Sequence, residues 1–171
     1  EENARFLLII TEIIAAIDEY SDLLRATTAT ASNDRRLSGF EAPPTIISVF
    51  IGEDLQRIFD TLIKEKDEDK TIVLGETLLK SMNKFSIDRN RTSPFAFVDN
   101  RFEFRMPGSS TSIAVCNTIL NTAVADKLSE ISSVLENSDN VYEEAQNLII
   151  KLIEKHKKII YNGNGYSEEW I

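Results

Sequence analysis

The chain has 171 residues, enough for one domain with a sizeable core, and is 42% hydrophobic, 27% charged and 8% aromatic, an ordinary globular composition. Its net charge of −9 argues against general nucleic-acid binding, because no basic face remains to neutralise a phosphate backbone. A single cysteine, Cys116, excludes an internal disulfide and fits a reducing, cytoplasmic compartment.

Residues 3 to 26 read as one long helix, with Phe6, Leu7, Ile10, Ile13, Ile14, Ile17 and Leu24 at three-four spacing. Glu12, Asp18 and Glu19 interrupt that apolar run, so it is neither a signal segment nor a membrane span. The chain begins at Glu1 already inside this pattern and reads as a piece of a longer protein. Asn33 to Gly39 reads as a loop, and Pro43-Pro44 rules out helix interior after it. Thr45 to Phe50 is rich in β-branched residues and predicts a strand.

Glu53 to Lys64 predicts a short amphipathic helix, followed by a solvated charge run from Lys64 to Lys70. Thr71 to Lys84 leans to a strand and then a helical turn. Phe95 to Val98 and Arg101 to Arg105 alternate on both sides of Asp99-Asn100, which predicts a β-hairpin. Two further helices are expected over Ser109 to Glu136 and Val141 to Tyr161, the second stopped by Asn162-Gly163-Asn164-Gly165. Cys116 lies in an apolar helical run and is expected to be a small buried hydrophobe. His156, in a basic helix end, is expected to be exposed.

Six of the nine arginines fall in two short stretches, Asn33 to Glu41 and Asp88 to Arg105. Arginine grips phosphate and carboxylate with a planar fork of donors. On a strand alternate residues face the same way, so Arg101, Glu103 and Arg105 share one face while Phe102 and Phe104 anchor the other. An exposed strand with ordinary ion pairs, each worth roughly 0–1 kcal/mol, is the bland explanation of that face. If the loops bearing Arg35-Arg36 and Arg89-Arg91 fold over it, several guanidiniums converge on few carboxylates, and an anion is their natural complement. One histidine and one cysteine make no zinc constellation, and no glycine-rich phosphate loop is present.

The stretches Arg89-Asn90-Arg91-Thr92-Ser93-Pro94-Phe95-Ala96-Phe97, Arg101-Phe102-Glu103-Phe104-Arg105, and Asn33-Asp34-Arg35-Arg36-Leu37 leading to Glu41-Ala42-Pro43-Pro44 resemble glutamine synthetase, above all its large type III enzymes. Asp18 to Arg25 and Asn162 to Trp170 are similar to type III sequence as well, so the resemblance covers essentially the whole chain. It implies an α+β fold over residues 1–171, part of a catalytic domain with antiparallel strands and a β-hairpin covered by long helices. The N-terminal β-grasp domain and the first metal-ligand strands would lie outside. It further implies an ATP-dependent ligase that makes glutamine from glutamate and ammonia through γ-glutamyl phosphate, with Mg²⁺ or Mn²⁺, in a ring-shaped homo-oligomer without nucleic acid or membrane.

By motif, Glu103 matches a metal-ligand glutamate, Arg105 and Arg36 match substrate-binding arginines, and Arg101 and Arg91 match positions near ATP phosphate. Arg89 matches an arginine that contacts both glutamate and phosphate, and Glu41 matches the flap glutamate that helps deprotonate ammonium. The chain departs from the family at Arg35, where type III members have histidine, and at Pro107-Gly108, where the family has Pro-Asp. Val98-Asp99 stands where type I enzymes carry a lysine, so no lysine contact to ATP carries over. The piece alone is expected to be inactive, since one carboxylate cannot satisfy the octahedral demand of Mg²⁺. Another γ-glutamyl ligase of this fold, or an interaction module derived from it, are the alternatives.

Overall fold

The computed structural model describes residues 2–37, 39, 42–67 and 92–168. Its helices, in chain order, are α1 (Glu2–Glu19), α2 (Ser21–Thr28), α3 (Ala31–Arg36), α4 (Gly52–Asp67), α5 (Ile113–Glu136) and α6 (Val141–His156). The strands are β1 (Val49–Phe50), β2 (Phe95–Val98) and β3 (Arg101–Phe104), and a 3₁₀ turn follows α6 at Lys157–Ile159. The fold is α+β: a small sheet in the order β1-β2-β3, covered by long helices. The sheet is mixed rather than antiparallel throughout, because β1 runs parallel to β2 while β2 and β3 form the expected hairpin. Asp99 makes the hairpin turn with φ of 54°, a left-handed conformation that aspartate tolerates.

Helix α1 is the central spoke and packs against α5 and α6. Leu7, Ile10, Ile14, Ile17 and Leu24, spaced for one helical face, all enter the main core. Each such fully buried aliphatic side chain contributes roughly 1.5–3 kcal/mol of transfer free energy. The sheet meets this core through phenylalanines: Phe95 stacks on Phe102 at 5.2 Å, Phe97 lies 5.0 Å from Phe102, and Phe6 of α1 lies 6.2 Å from Phe97. Aromatic pairs of this kind add about 0.5–1.5 kcal/mol beyond the area they bury.

Several boundaries differ from expectation for local reasons. The long N-terminal helix breaks at Tyr20, whose φ and ψ are −108° and 17°, and Ser21 Oγ donates to the Asp18 carbonyl at 3.0 Å, a side-chain bond that competes with the helix ladder. Asn33 to Arg36 is helical rather than loop, because Thr30 Oγ1 caps α3 by accepting from the Asn33 amide at 3.2 Å. Only Val49 and Phe50 of the Thr45–Phe50 stretch form a strand, held on its second side by Ile160 and by the Tyr161 amide, which donates to the Val49 carbonyl at 2.9 Å.

Helix α4 continues through Lys64–Asp67, previously expected as loop, and Lys66 pairs with Glu154 of α6 at 2.7 Å. Helix α5 starts at Ile113 rather than at Ser109, because the Ser112 side chain caps it. Cys116 is buried as expected, and its thiol donates to Thr27 Oγ1 at 3.0 Å. The reading of Thr71 to Lys84 lies outside the described residues.

His156 is buried, not exposed: Nδ1 sits 2.7 Å from Asp18 Oδ2. The packing of α1 along α6 explains the correction, since it sets Asp18 and Glu19 against the end of α6. Glu19 is shared between Lys127 and Lys155, and Lys158 reaches Asp18 at 3.3 Å. Among the described residues no helix is long and apolar enough to cross a membrane.

Candidate active site

The hairpin register builds one chemical face and one packing face from the same strand. Phe102 and Phe104 point into the core, so Arg101, Glu103 and Arg105 must point away from it. Ala96 stands opposite Glu103, Val98 opposite Arg101, and Phe50 pairs with Ala96, so a small buried apolar cluster floors the charged row. The Arg105 amide donates to the Pro94 carbonyl at 2.8 Å and holds the end of the row to the lead into β2.

Glu103 sits between the two guanidiniums, and each arginine holds one carboxylate oxygen with two donors. Arg101 donates from Nε and Nη2 to Oε1 at 3.2 and 3.1 Å, and Arg105 donates from the same atoms to Oε2 at 3.2 and 3.1 Å. The Arg105 hydrogen bonds, with those of Arg101, hold the Glu103 carboxyl below its ordinary range against the opposing effect of burial. The side chains are graded in exposure, Arg101 at 61%, Glu103 at 35% and Arg105 at 20%, so Arg105 is the best sheltered cation of the row.

Arg36 reaches this row from α3. Its Nη2 donates to the Met106 carbonyl at 2.7 Å and lies 3.4 Å from the Arg105 carbonyl, while Nε donates to Asn33 Oδ1 at 2.9 Å. Its Nη1 makes no hydrogen bond among the described residues. Asn33 is buried and ties the junction together, donating from Nδ2 to the carbonyls of Thr28 and Met106 at 2.7 and 3.0 Å. Gly108 makes room for it: a Cβ there would stand 2.9 Å from Asn33 Oδ1. Asparagine in a short polar stretch looks like any turn former, so composition gave no signal for this role.

Of the residues singled out from sequence, Arg101, Glu103 and Arg105 are brought together along β3, and Arg36 holds the backbone just after it. Glu41, Arg89 and Arg91 lie outside the described residues. Among the described residues no group of three or more His, Cys, Asp or Glu side chains could hold a metal ion. Glu103 fits one ligand position of a divalent site, being held ionised by its neighbours, and a complete coordination shell would need oxygens from elsewhere. The cavity of about 360 Å³ lined by Asp18, Asp22, Arg25, Ile46 and Lys158 contains none of the arginine row.

The fold and this face define a helix-covered sheet module that offers a cationic row around one ionised carboxylate. A family model described as "Glutamine synthetase C-terminal domain" matches residues 144–171. The chain is 41% identical to the type-3 glutamine synthetase of Dictyostelium discoideum over 99% of its own length and 24% of that protein. It is 36% identical to a glutamine synthetase of Butyrivibrio fibrisolvens and 35% to one of Bacteroides fragilis, over 99% and 98% of the chain and 25% of each relative. The chain is thus similar to glutamine synthetases over nearly its whole length, a type-3 enzyme among them. It spans about a quarter of the length of these curated relatives.

Proposed function

We propose that this chain is the C-terminal portion of the catalytic domain of a cytoplasmic type III-like glutamine synthetase, with the β-grasp domain and the remaining metal carboxylates supplied by residues outside it. The intact protein is a glutamate–ammonia ligase that forms glutamine with ATP through γ-glutamyl phosphate, as a homo-oligomeric ring. The observation that carries this reading is Glu103 held ionised between Arg101 and Arg105, on a strand whose motif resembles the family's metal-ligand strand.

The division of labour follows from charge and shelter. Arg105, the less exposed of the strand arginines, binds and orients the substrate glutamate and its phosphorylated form. Arg36, with Nε and Nη2 fixed on protein acceptors, offers its remaining donors to a substrate carboxylate. Arg101, with Arg89 and Arg91, stabilises phosphate oxygens, on which charge is spread during phosphoryl transfer. Glu103 is one ligand of Mg²⁺ or Mn²⁺, which neutralises phosphate charge when bound. Glu41 attracts ammonium and accepts its proton.

The test is glutamine and phosphate release by the intact protein given glutamate, ammonia, ATP and Mg²⁺. Glu103→Gln is expected to lower the rate on the order of 100-fold, the scale of losing a supported metal ligand. A rate unchanged by Glu103→Gln refutes the assignment. The 171-residue piece alone is expected to be inactive.

A further inference from the structure

The segment after the 3₁₀ turn does more than end the chain. Asn162 Oδ1 accepts from the amides of Ile51 and Gly52 at 3.0 and 2.9 Å, which anchors the segment at the start of α4. Three residues on, the Gly165 amide donates to Thr92 Oγ1 at 3.0 Å. A Cβ at Gly165 would meet the Thr92 carbonyl at 2.6 Å and Pro44 Cγ at 3.1 Å, so the backbone passes between two site-bearing segments at a distance only glycine permits. The Asn164 side chain and carbonyl then accept from the amides of Tyr166 and Ser167 at 3.0 and 2.9 Å, a local turn that aims the Tyr166 ring.

Tyr166 OH donates to the Gly39 carbonyl. The Ala42 amide also donates to that carbonyl, at 3.2 Å. The Arg36 charge is felt at the phenol as well. The hydroxyl therefore shares its acceptor with the amide that starts Ala42-Pro43-Pro44. Burial raises the phenol above its ordinary value, with the Ala42 amide and Arg36 opposing, so it stays protonated at neutral pH and remains a donor.

We propose that Tyr166 is a positioning residue: its hydroxyl holds the turn between α3 and β1, and with it the substrate side of the arginine row, from a segment 127 residues away in sequence. Its effect on catalysis rests on the glutamine synthetase reading; its effect on the turn does not. Among the described residues between α3 and β1 no helix or strand forms, so a single well-placed hydroxyl carries weight there.

The experiment is Tyr166→Phe in the intact protein, read by hydrogen exchange and by steady-state kinetics. Amide exchange in the peptide spanning residues 37–44 is expected to accelerate about tenfold, with α1 and the β2–β3 hairpin unchanged. The KM for glutamate should rise severalfold while the KM for ATP stays constant. Gly165→Ala, which displaces the same segment, should give the same local exchange signature. Wild-type exchange in residues 37–44 of Tyr166→Phe overturns the proposal, and so does acceleration spread over the whole protein. A loss of kcat alone, equal for every substrate, overturns it too, because that reports fewer folded molecules. A wild-type protein that makes no glutamine would sink the functional reading and leave the exchange result to decide this one.

Discussion

Two charged regions of this molecule set basic side chains against carboxylates to opposite ends. Where α1 meets α5 and α6, Asp18, Glu19 and Glu130 face Lys127, Lys155, Lys158 and His156, and the centre of the cluster is enclosed, Lys127 at 8% exposure and His156 at 2%, with Glu130, Lys155 and Lys158 at its open rim. On the hairpin, Arg101 and Arg105 share one glutamate, Arg36 stands beside them, and the row opens outward. The first region balances its charges within the chain and locks three helices. Among the described residues the second sets three guanidiniums against one carboxylate, an imbalance that suits a site for an anion. The physical lesson is that charge stoichiometry and shelter, more than charge density, separate a structural cluster from a binding one.

The largest effect should come from breaking the closed region. Lys127→Ala leaves Glu19 with one fewer partner and removes a sheltered cation, and a loss of about 3 kcal/mol in urea-unfolding free energy is expected. The open region should respond in activity instead. Arg105→Ala is expected to reduce kcat/KM for glutamate about thirtyfold, about 2 kcal/mol of transition-state stabilisation, with ATP affinity retained. If ATP affinity alone fell, the role given to Arg105 would fail.

The pH dependence sharpens the contrast within α1 itself. Burial alone raises Glu12, which is 1% exposed, from 4.5 to about 7. Its Oε1 meets no hydrogen-bond partner among the described residues. The folded state therefore binds more protons than the unfolded one between these values, and stability falls as pH rises from 4.5 to 7. At Glu19, burial also raises the carboxyl, but hydrogen bonds and charge from Lys127 and Lys155 outweigh it and bring it down to about 2. Its contribution is complete above 4.5 and is lost as pH falls toward 2. Glu12→Gln should remove the first slope only, gaining on the order of 1–2 kcal/mol at pH 8 and little at pH 4.5, as thermal melts across pH would record. The smallest effect is expected from Arg101→Ala: at 61% exposure its ion pair should change stability by less than about 1 kcal/mol. A larger loss would mean that the open row is structural after all.

Much of this was legible in the chain. Strict alternation in Phe95–Val98 and Arg101–Phe104 specified the hairpin and the separation of Phe102 and Phe104 from Arg101, Glu103 and Arg105. Three-four spacing specified the buried face of α1, and the ordered motifs around Arg36, Glu103 and Arg105 carried the resemblance to glutamine synthetases. Helix ends were misread where one hydroxyl decided them, at Ser21, Thr30 and Ser112. Such bonds compete locally with the backbone ladder and leave no periodic trace.

What the sequence determined by itself was the chemistry of each strand face, the α+β class and the likeness to glutamine synthetases. What only the tertiary structure decided was which distant groups meet: His156 with Asp18, Asn33 with Met106 and Gly108, and Tyr166 with Gly39. The reason is one of range. Periodicity records how a residue sits relative to neighbours three or four positions away, whereas a buried hydrogen bond across a hundred residues depends on how whole helices and strands have already packed.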